Sequence, residues 1–223
     1  MTTDPECLAA YDLWAATYDS IDNPLVAQSA VVLAGHASWF AGASVLELGC
    51  GTGRNAAFAL SAGAARFVGV DASPGMLEIA RQRLKDPRVS LIHADLASGL
   101  DGGPFDVALI CLVLEHLQDP SLAISAAAKS LAPRGRLIVV ELHPALHEAG
   151  VGANFRIADR EVRLASFRHT AEELSAACGS AGLRVTSVVD HLRSAEALER
   201  SRKLARPHYG GRPVLLELVA ERP

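Results

Sequence analysis

Short apolar runs recur through the first two thirds of the chain, separated by stretches with helical spacing. The pattern predicts strands over 43–48, 65–71, 89–93, 105–111 and 136–142, with helices over 54–62, 74–84 and 122–131 between them. Ser73 followed by Pro74 is a helix start with a side-chain cap and a proline at the first turn. The run 105–111 is almost continuously apolar, as in strands buried on both faces. Strand and helix in regular alternation predict an α/β fold with a doubly wound, mostly parallel sheet. Ahead of it, residues 5–35 read as helical with a break at Asp22-Asn23-Pro24.

The last third has a different rhythm. Residues 154–157 and 161–167 alternate around 158–160 as a short antiparallel hairpin would, and a helix is expected over 171–181 with Thr170 as its cap. Strands follow over 183–189 and 214–220, separated by a charged helix over 195–204 and a loop at Tyr209-Gly210-Gly211. No internal repeat or domain linker stands out, so the 223 residues read as one domain.

Composition narrows the class. Half of the residues are hydrophobic but only 5% are aromatic, so the core must be built mainly from Ala, Val and Leu. A net charge of −4 weighs against a nucleic-acid-binding surface. The opening Met-Thr-Thr-Asp-Pro-Glu has no secretory pattern, and no apolar run reaches the roughly 20 residues a membrane span needs. Cys7, Cys50, Cys111 and Cys178 are scattered without a C-x-x-C pair, as expected of reduced thiols in the cytoplasm.

The densest chemical signal is Val45-Leu46-Glu47-Leu48-Gly49-Cys50-Gly51-Thr52-Gly53-Arg54-Asn55. Alternate glycines between a strand and a helix make a tight turn that a ligand can approach closely, and the helix start offers unpaired N–H groups. This is a nucleotide-type cofactor site. Gly51-x-Gly53-x-x-Ala56, with Asp71 beyond it, also satisfies a dinucleotide fingerprint. The helical residues 5–35 ahead of the first strand, and the lack of room for a separate substrate domain, tell against a dehydrogenase.

From about residue 11 onward the chain resembles the class I S-adenosylmethionine (SAM)-dependent methyltransferases. The resemblance rests on Glu47-Leu48-Gly49-Cys50-Gly51-Thr52-Gly53, Gly69-Val70-Asp71-Ala72-Ser73-Pro74-Gly75-Met76-Leu77 and His93-Ala94-Asp95-Leu96. It continues through Phe105-Asp106-Val107 to Leu114-Glu115-His116-Leu117 and then Leu131-Ala132-Pro133-Arg134-Gly135-Arg136-Leu137, in the family's order. It implies a Rossmann-like, seven-stranded sheet whose last strand is antiparallel. It also implies that Gly49, Gly51 and Gly53 pass close to the methionine and ribose parts of SAM, with Glu47 near the charged end. Asp71, with Ala72 beside it, would take the ribose diol; Met76 would cover an adenine face; Asp95 and the Leu96 amide would meet adenine. The Cys111 backbone would meet the methionine amino group, and Tyr11 and Tyr18 belong to a lid over about 5–35. Tyr11 and Tyr18, seven apart, would equally share a helix face if they only packed on the core.

Methyl transfer from a sulfonium is a direct displacement, helped chiefly by positioning and desolvation. A hydroxyl acceptor gains from a base, and histidine, with an ordinary pKa near 6.5, is suited to that role. His116, after the fourth strand at the carboxyl edge of the sheet, is the leading candidate; bracing the following helix is its bland alternative. His143, after the fifth strand, is the second. Glu115-His116 with His143 and His147 makes a poor metal set, because Leu112 replaces an expected acid and Pro144 argues against a helix there, so no metal is expected. An acceptor-covering insertion is expected over about 143–169, with Phe155, Phe167, Arg168 and His169 as candidate wall residues. His36, His93, His191 and His208 read as structural or surface residues.

The Asn/Asp-Pro-Pro-Tyr/Phe motif of many nucleic-acid and glutamine methylating enzymes is absent, and the basic stretch 193–212 is interleaved with Glu196 and Glu199 as a solvated helix would be. The expectation is therefore methylation of an oxygen or nitrogen of a small metabolite, by a monomer or homodimer acting on neither nucleic acid nor membrane. An RNA- or protein-directed enzyme, or a catalytically silent SAM-binding protein, remain the alternatives.

Overall fold

The computed structural model of the chain describes residues 4–98, 102–157 and 160–223. Its sheet strands, in chain order, are β1 (Ser44–Leu48), β2 (Arg66–Asp71), β3 (Val89–His93), β4 (Phe105–Cys111) and β5 (Leu131–Leu142). A separate hairpin of β6 (Asn154–Ile157) and β7 (Arg160–Arg163) precedes β8 (Arg184–His191) and β9 (Leu215–Glu221). Across the sheet the order is β3-β2-β1-β4-β5-β9-β8. The first five strands run parallel, and β9 is inserted antiparallel between β5 and β8. This is the expected doubly wound α/β architecture with an antiparallel last strand.

The helices are α1 (Pro5–Tyr18), α2 (Pro24–Ala34), α3 (Ala37–Phe40), α4 (Arg54–Ser61), α5 (Pro74–Arg83), α6 (Ser121–Ser130), α7 (Pro144–Glu148), α8 (Ala171–Ser180) and α9 (Ala195–Arg200). Successive strand residues point to opposite faces of a sheet, and both faces here are covered. Ala108 and Ile110 of β4 join Leu46 and Leu48 under α6 and α8. Val107 and Leu109 join Val45 and Phe67 under α2, α3 and α4. Fully buried alanines such as Ala56 on α4 and Ala127 on α6 let helices lie close to the sheet, which is how so few aromatic residues suffice for a core.

Four local expectations need correction. β5 starts at Leu131, not 136: Phe105 pairs with Leu131 but Val107 pairs with Arg136, so Pro133-Arg134-Gly135 bulges within the strand. The hairpin's second strand ends at Arg163, and Leu164 and Phe167 bond instead to the Ala153 and Glu115 carbonyls; turn residues 158 and 159 lie outside the described residues. Helix α9 ends at Arg200, and a 3-10 turn over Arg202–Ala205 follows an extended Ser201. Pro207 keeps Arg206 out of the helical region, which bars a longer helix. Finally, α7 is helical despite Pro144, because the proline occupies the first position, where a missing N–H costs nothing.

Candidate active site

The C-terminal ends of β1, β2 and β4 open onto a cavity at the carboxyl edge of the sheet, where open α/β sheets bind ligands. The loop after β1 is tied to β2 by the Gly49 and Cys50 amides, which donate to the Val70 carbonyl at 2.7 and 3.0 Å. At Gly51, φ is +52°, and an added Cβ would meet nothing within 4 Å. The bare backbone there borders open space. Gly53 differs: its φ is +76°, and a Cβ would come within 2.5 Å of Leu84, so this glycine serves the seating of α4 against the α5 terminus.

Tyr11, Tyr18, Glu47, Gly49, Gly51, Asp71, Ala72, Met76, Leu96, Cys111 and His116 come together as walls of this cavity. Gly53 stands behind it. Asp95 precedes the wall residue Leu96, and its Oδ1 accepts from the Ala97 amide at 3.0 Å. His143 is elsewhere: its Nδ1 accepts from Ala145 N at 3.0 Å, capping α7, while Nε2 lies 3.2 Å from Asp190. Among the described residues no group of His, Cys, Asp and Glu forms a metal site.

Asp71 terminates β2, and its two oxygens accept from Gly51 N at 2.7 Å and Ser73 N at 2.8 Å. Burial pushes its carboxyl above the ordinary value, against these backbone bonds. Glu47 is buried beneath the loop; its Oε1 accepts from Asn55 at 2.6 Å and its Oε2 has no partner. Burial, opposed only by the Asn55 bond and the Arg54 charge, pushes Glu47 up to about 8. Cys111 lines the same space, and burial pushes its thiol up to about 12, so it stays protonated and inert.

His116 is 6% exposed, and its ring position is fixed from both sides. Its Nδ1 lies 3.1 Å from the Ala165 carbonyl, which can only accept, so Nδ1 carries the hydrogen. Its Nε2 is therefore the acceptor, 2.7 Å from the Tyr11 hydroxyl. Burial raises the Tyr11 phenol well above its ordinary range, so Tyr11 remains a donor. Glu141, at the end of β5, positions the turn that carries His116 by accepting from Val113 N and Leu114 N, each at 2.9 Å.

A second cavity adjoins the first, and Tyr11, Tyr18 and Leu112 line both. Trp14 walls it, stacked on Phe155 with ring centres 4.6 Å apart. Of the other expected wall residues, His169 braces the His116 turn through the Leu114 and Leu117 carbonyls, and Arg168 reaches Glu148 at 3.9 Å. Phe167 enters only through its amide, bonded to the Glu115 carbonyl at 2.7 Å.

Asp12 and Asp19, which follow the two lid tyrosines in the resemblance to the family's lid helix, make bonds that the pattern did not specify. Asp12 accepts from Ser73 Oγ at 2.5 Å and Gly75 N at 2.9 Å. Asp19 accepts from Thr52 Oγ1 at 3.0 Å and pairs with Arg83. Together they pin α1 across the cofactor-side cavity. His36 and His191, read as isolated, both bond to the buried Glu217 of β9, at 2.5 and 2.6 Å. Burial pushes Glu217 up, but the two histidine bonds outweigh it and hold the carboxyl at about 2.

A parallel sheet with an antiparallel strand beside its last parallel one, and a glycine loop over the carboxyl edge, is the class I methyltransferase architecture. Residues 46–139 match the family model described as "Methyltransferase domain". An uncharacterized methyltransferase of Emericella nidulans is 31% identical over 222 residues, covering 81% of this chain and 76% of that protein. The chain belongs to the methyltransferase family. It also resembles a demethylmenaquinone methyltransferase of Clavibacter sepedonicus, 38% identical over 103 residues, 45% of this chain and 42% of that one. The chain thus spans less than half of that relative's length. In fold it is similar to the N-methyltransferase NodS of Bradyrhizobium japonicum, solved with S-adenosyl-L-homocysteine (SAH), with a TM-score of 0.68 at 20% identity over 98% of this chain and 97% of that one.

Proposed function

We propose that the chain is a SAM-dependent methyltransferase acting on an oxygen or nitrogen of a small molecule. The observation that carries this reading is the cavity at the carboxyl edge of the sheet, where Gly51 leaves backbone bare and Asp71 offers an acceptor-only group at the end of β2. The residues present fit SAM. Each Asp71 oxygen accepts one backbone N–H and has capacity left for a ribose hydroxyl. The buried Met76 and Leu96 supply apolar cover for adenine, and the unpartnered Glu47 oxygen lies where the positively charged end would come. When bound, SAM supplies an electrophilic methyl group.

The chain's own residues supply position, dryness and a proton path. Tyr11 lines both cavities, so an acceptor in the second can donate its hydrogen to the Tyr11 oxygen. As the acceptor gives up that proton, Tyr11 passes its own to His116 Nε2, and the resulting imidazolium keeps its Nδ1–H on the Ala165 carbonyl. His116 thus acts as base with Tyr11 as relay, while α1 acts as a lid that excludes water. No charged intermediate is left on the phenol, in keeping with its raised pKa.

Calorimetry with SAM, SAH and NAD, followed by SAH release across a panel of phenols, alcohols and amines, tests the proposal. Binding of SAM and SAH but not NAD, with turnover of a panel member, is the expected result. Binding of NAD alone would overturn the cofactor; tight SAM binding without any turnover would overturn the enzyme.

A further inference from the structure

The second cavity carries a charge pattern that narrows the acceptor, given the methyltransferase reading above. Its cofactor end is marked by the residues shared with the first cavity and by Glu115, which neighbours His116. Glu115 is buried, and one of its oxygens accepts from Ser166 Oγ at 3.0 Å. Another wall comes from the 3-10 turn after α9 and the segment beyond it, through Lys203, Arg206 and Tyr209.

That wall has donors to spare. The exposed Arg206 side chain has no hydrogen bond or ion pair among the described residues, although its guanidinium carries five N–H groups. Lys203 spends one N–H on the Asp22 carbonyl at 2.6 Å and keeps two. The Trp14 indole N–H, from the aromatic side of the cavity, is buried without a partner. The lining holds two cations, Lys203 and Arg206, and two acids, Asp22 and the buried Glu115 beside His116. The rings of Trp14 and Tyr18, with centres 4.7 Å apart, add aromatic faces to the lining.

We propose that the second cavity binds a flat, unsaturated acceptor whose methyl-receiving O–H or N–H lies at the Tyr11–Glu115 end and whose anionic group, carboxylate or phosphate, is held by Arg206 and Lys203. A guanidinium matches either anion in bidentate fashion, and ring faces suit a planar body. The stretch 193–212 is then more than a solvated helix face, because the half-buried Lys203 and the exposed Arg206 border a cavity.

The test uses the full chain and matched pairs of probes: 4-hydroxyphenylacetate against 4-hydroxyphenylacetamide, and phenyl phosphate against benzyl alcohol. Affinities are read by calorimetry or ligand-observed NMR, with and without SAH. At least one anion should bind about tenfold or more tightly than its neutral partner, as charge-assisted hydrogen bonds allow. The preference should weaken with added salt. In K203Q/R206Q it should shrink to less than about threefold while SAH affinity stays unchanged; both sites are on the surface side of the fold, and SAH binding also reports that the variant is folded. Which pair shows the preference tells carboxylate from phosphate. Equal binding within both pairs, a preference that survives K203Q/R206Q, or no anion bound at all would overturn the proposal. Loss of SAH binding by the wild-type chain would instead overturn the cofactor reading, since the probe preference is measured separately without SAH.

Discussion

The two adjoining cavities are made in different ways. The cofactor-side cavity is centred on one stretch from β1 to α5, with the loop after β1, its ties to Val70 and a carboxylate at a strand end, and side chains of α1 and of the turn after β4 complete it. The second is built from side chains of α1, the 112–115 turn, the 151–154 segment and the 203–209 segment, which meet only in the folded chain. Backbone geometry changes little when side chains are exchanged, so the first cavity suits a constant ligand. A side-chain cavity can be rebuilt by substitution without touching the sheet, which suits a ligand that differs from one relative to another.

Mutations should separate the two. The largest effect is expected at their junction: His116→Ala should lower kcat by about 100-fold or more and leave SAH affinity, read by calorimetry, unchanged. Tyr11→Phe should reproduce most of that loss if the proton passes through the phenol; a nearly normal kcat would mean that His116 acts alone. Next comes Asp71→Ala, which should weaken SAH by about 30-fold, the worth of one hydrogen bond to a carboxylate. The same variant should keep its affinity for an acceptor-side probe, and loss of both would erase the distinction between the cavities.

Smaller effects divide the glycine loop itself. Gly53→Ala should cost about 2 kcal/mol in denaturant unfolding, because left-handed strain adds to the clash with Leu84. Gly51→Ala carries about 1 kcal/mol of strain with no clash, and its methyl should instead reduce SAH affinity. The smallest effect is a pH slope. Glu47 has a folded-state value of about 8 against an ordinary 4.5, so its contribution is complete below pH 4.5 and declines as pH rises toward 8. Glu47→Gln should flatten the fall in melting temperature of the ligand-free chain across that window. Glu217, held at about 2, works in the opposite direction: its contribution is present above pH 4.5 and lost as pH falls toward 2.

This division also governed what the sequence could reveal. Asp71 and the Gly49–Gly53 loop were legible because their chemistry depends on neighbours a few residues away. The parallel sheet was legible because apolar runs such as 105–111 are buried on both faces. His116 was visible as a candidate, but its tautomer and its bond to Tyr11 join positions 105 residues apart. The same is true of Glu217 with His36, separated by 181 residues. Lys203 and Arg206 were visible only as part of a basic stretch interleaved with acids, because the break at Ser201 and Pro207 that brings both to the border of the second cavity carries no periodic signal. His143 was misjudged because a histidine after a strand can cap a short helix as readily as it can face a cavity.

Helix α1 contributes Tyr11 and Tyr18 to both cavities and is pinned at its middle by Asp12 and at its C-terminal cap by Asp19. A wall held in common allows neither compartment to empty freely while the helix is down. By-product and methylated product should therefore depart in the same opening event, and with chemistry complete that event would limit turnover. Asp12→Ala, far from any reacting atom, should then shorten the residence time of SAH more than it changes any equilibrium at the sheet edge. The pace of the catalytic cycle would be set by two carboxylates that never meet the substrate.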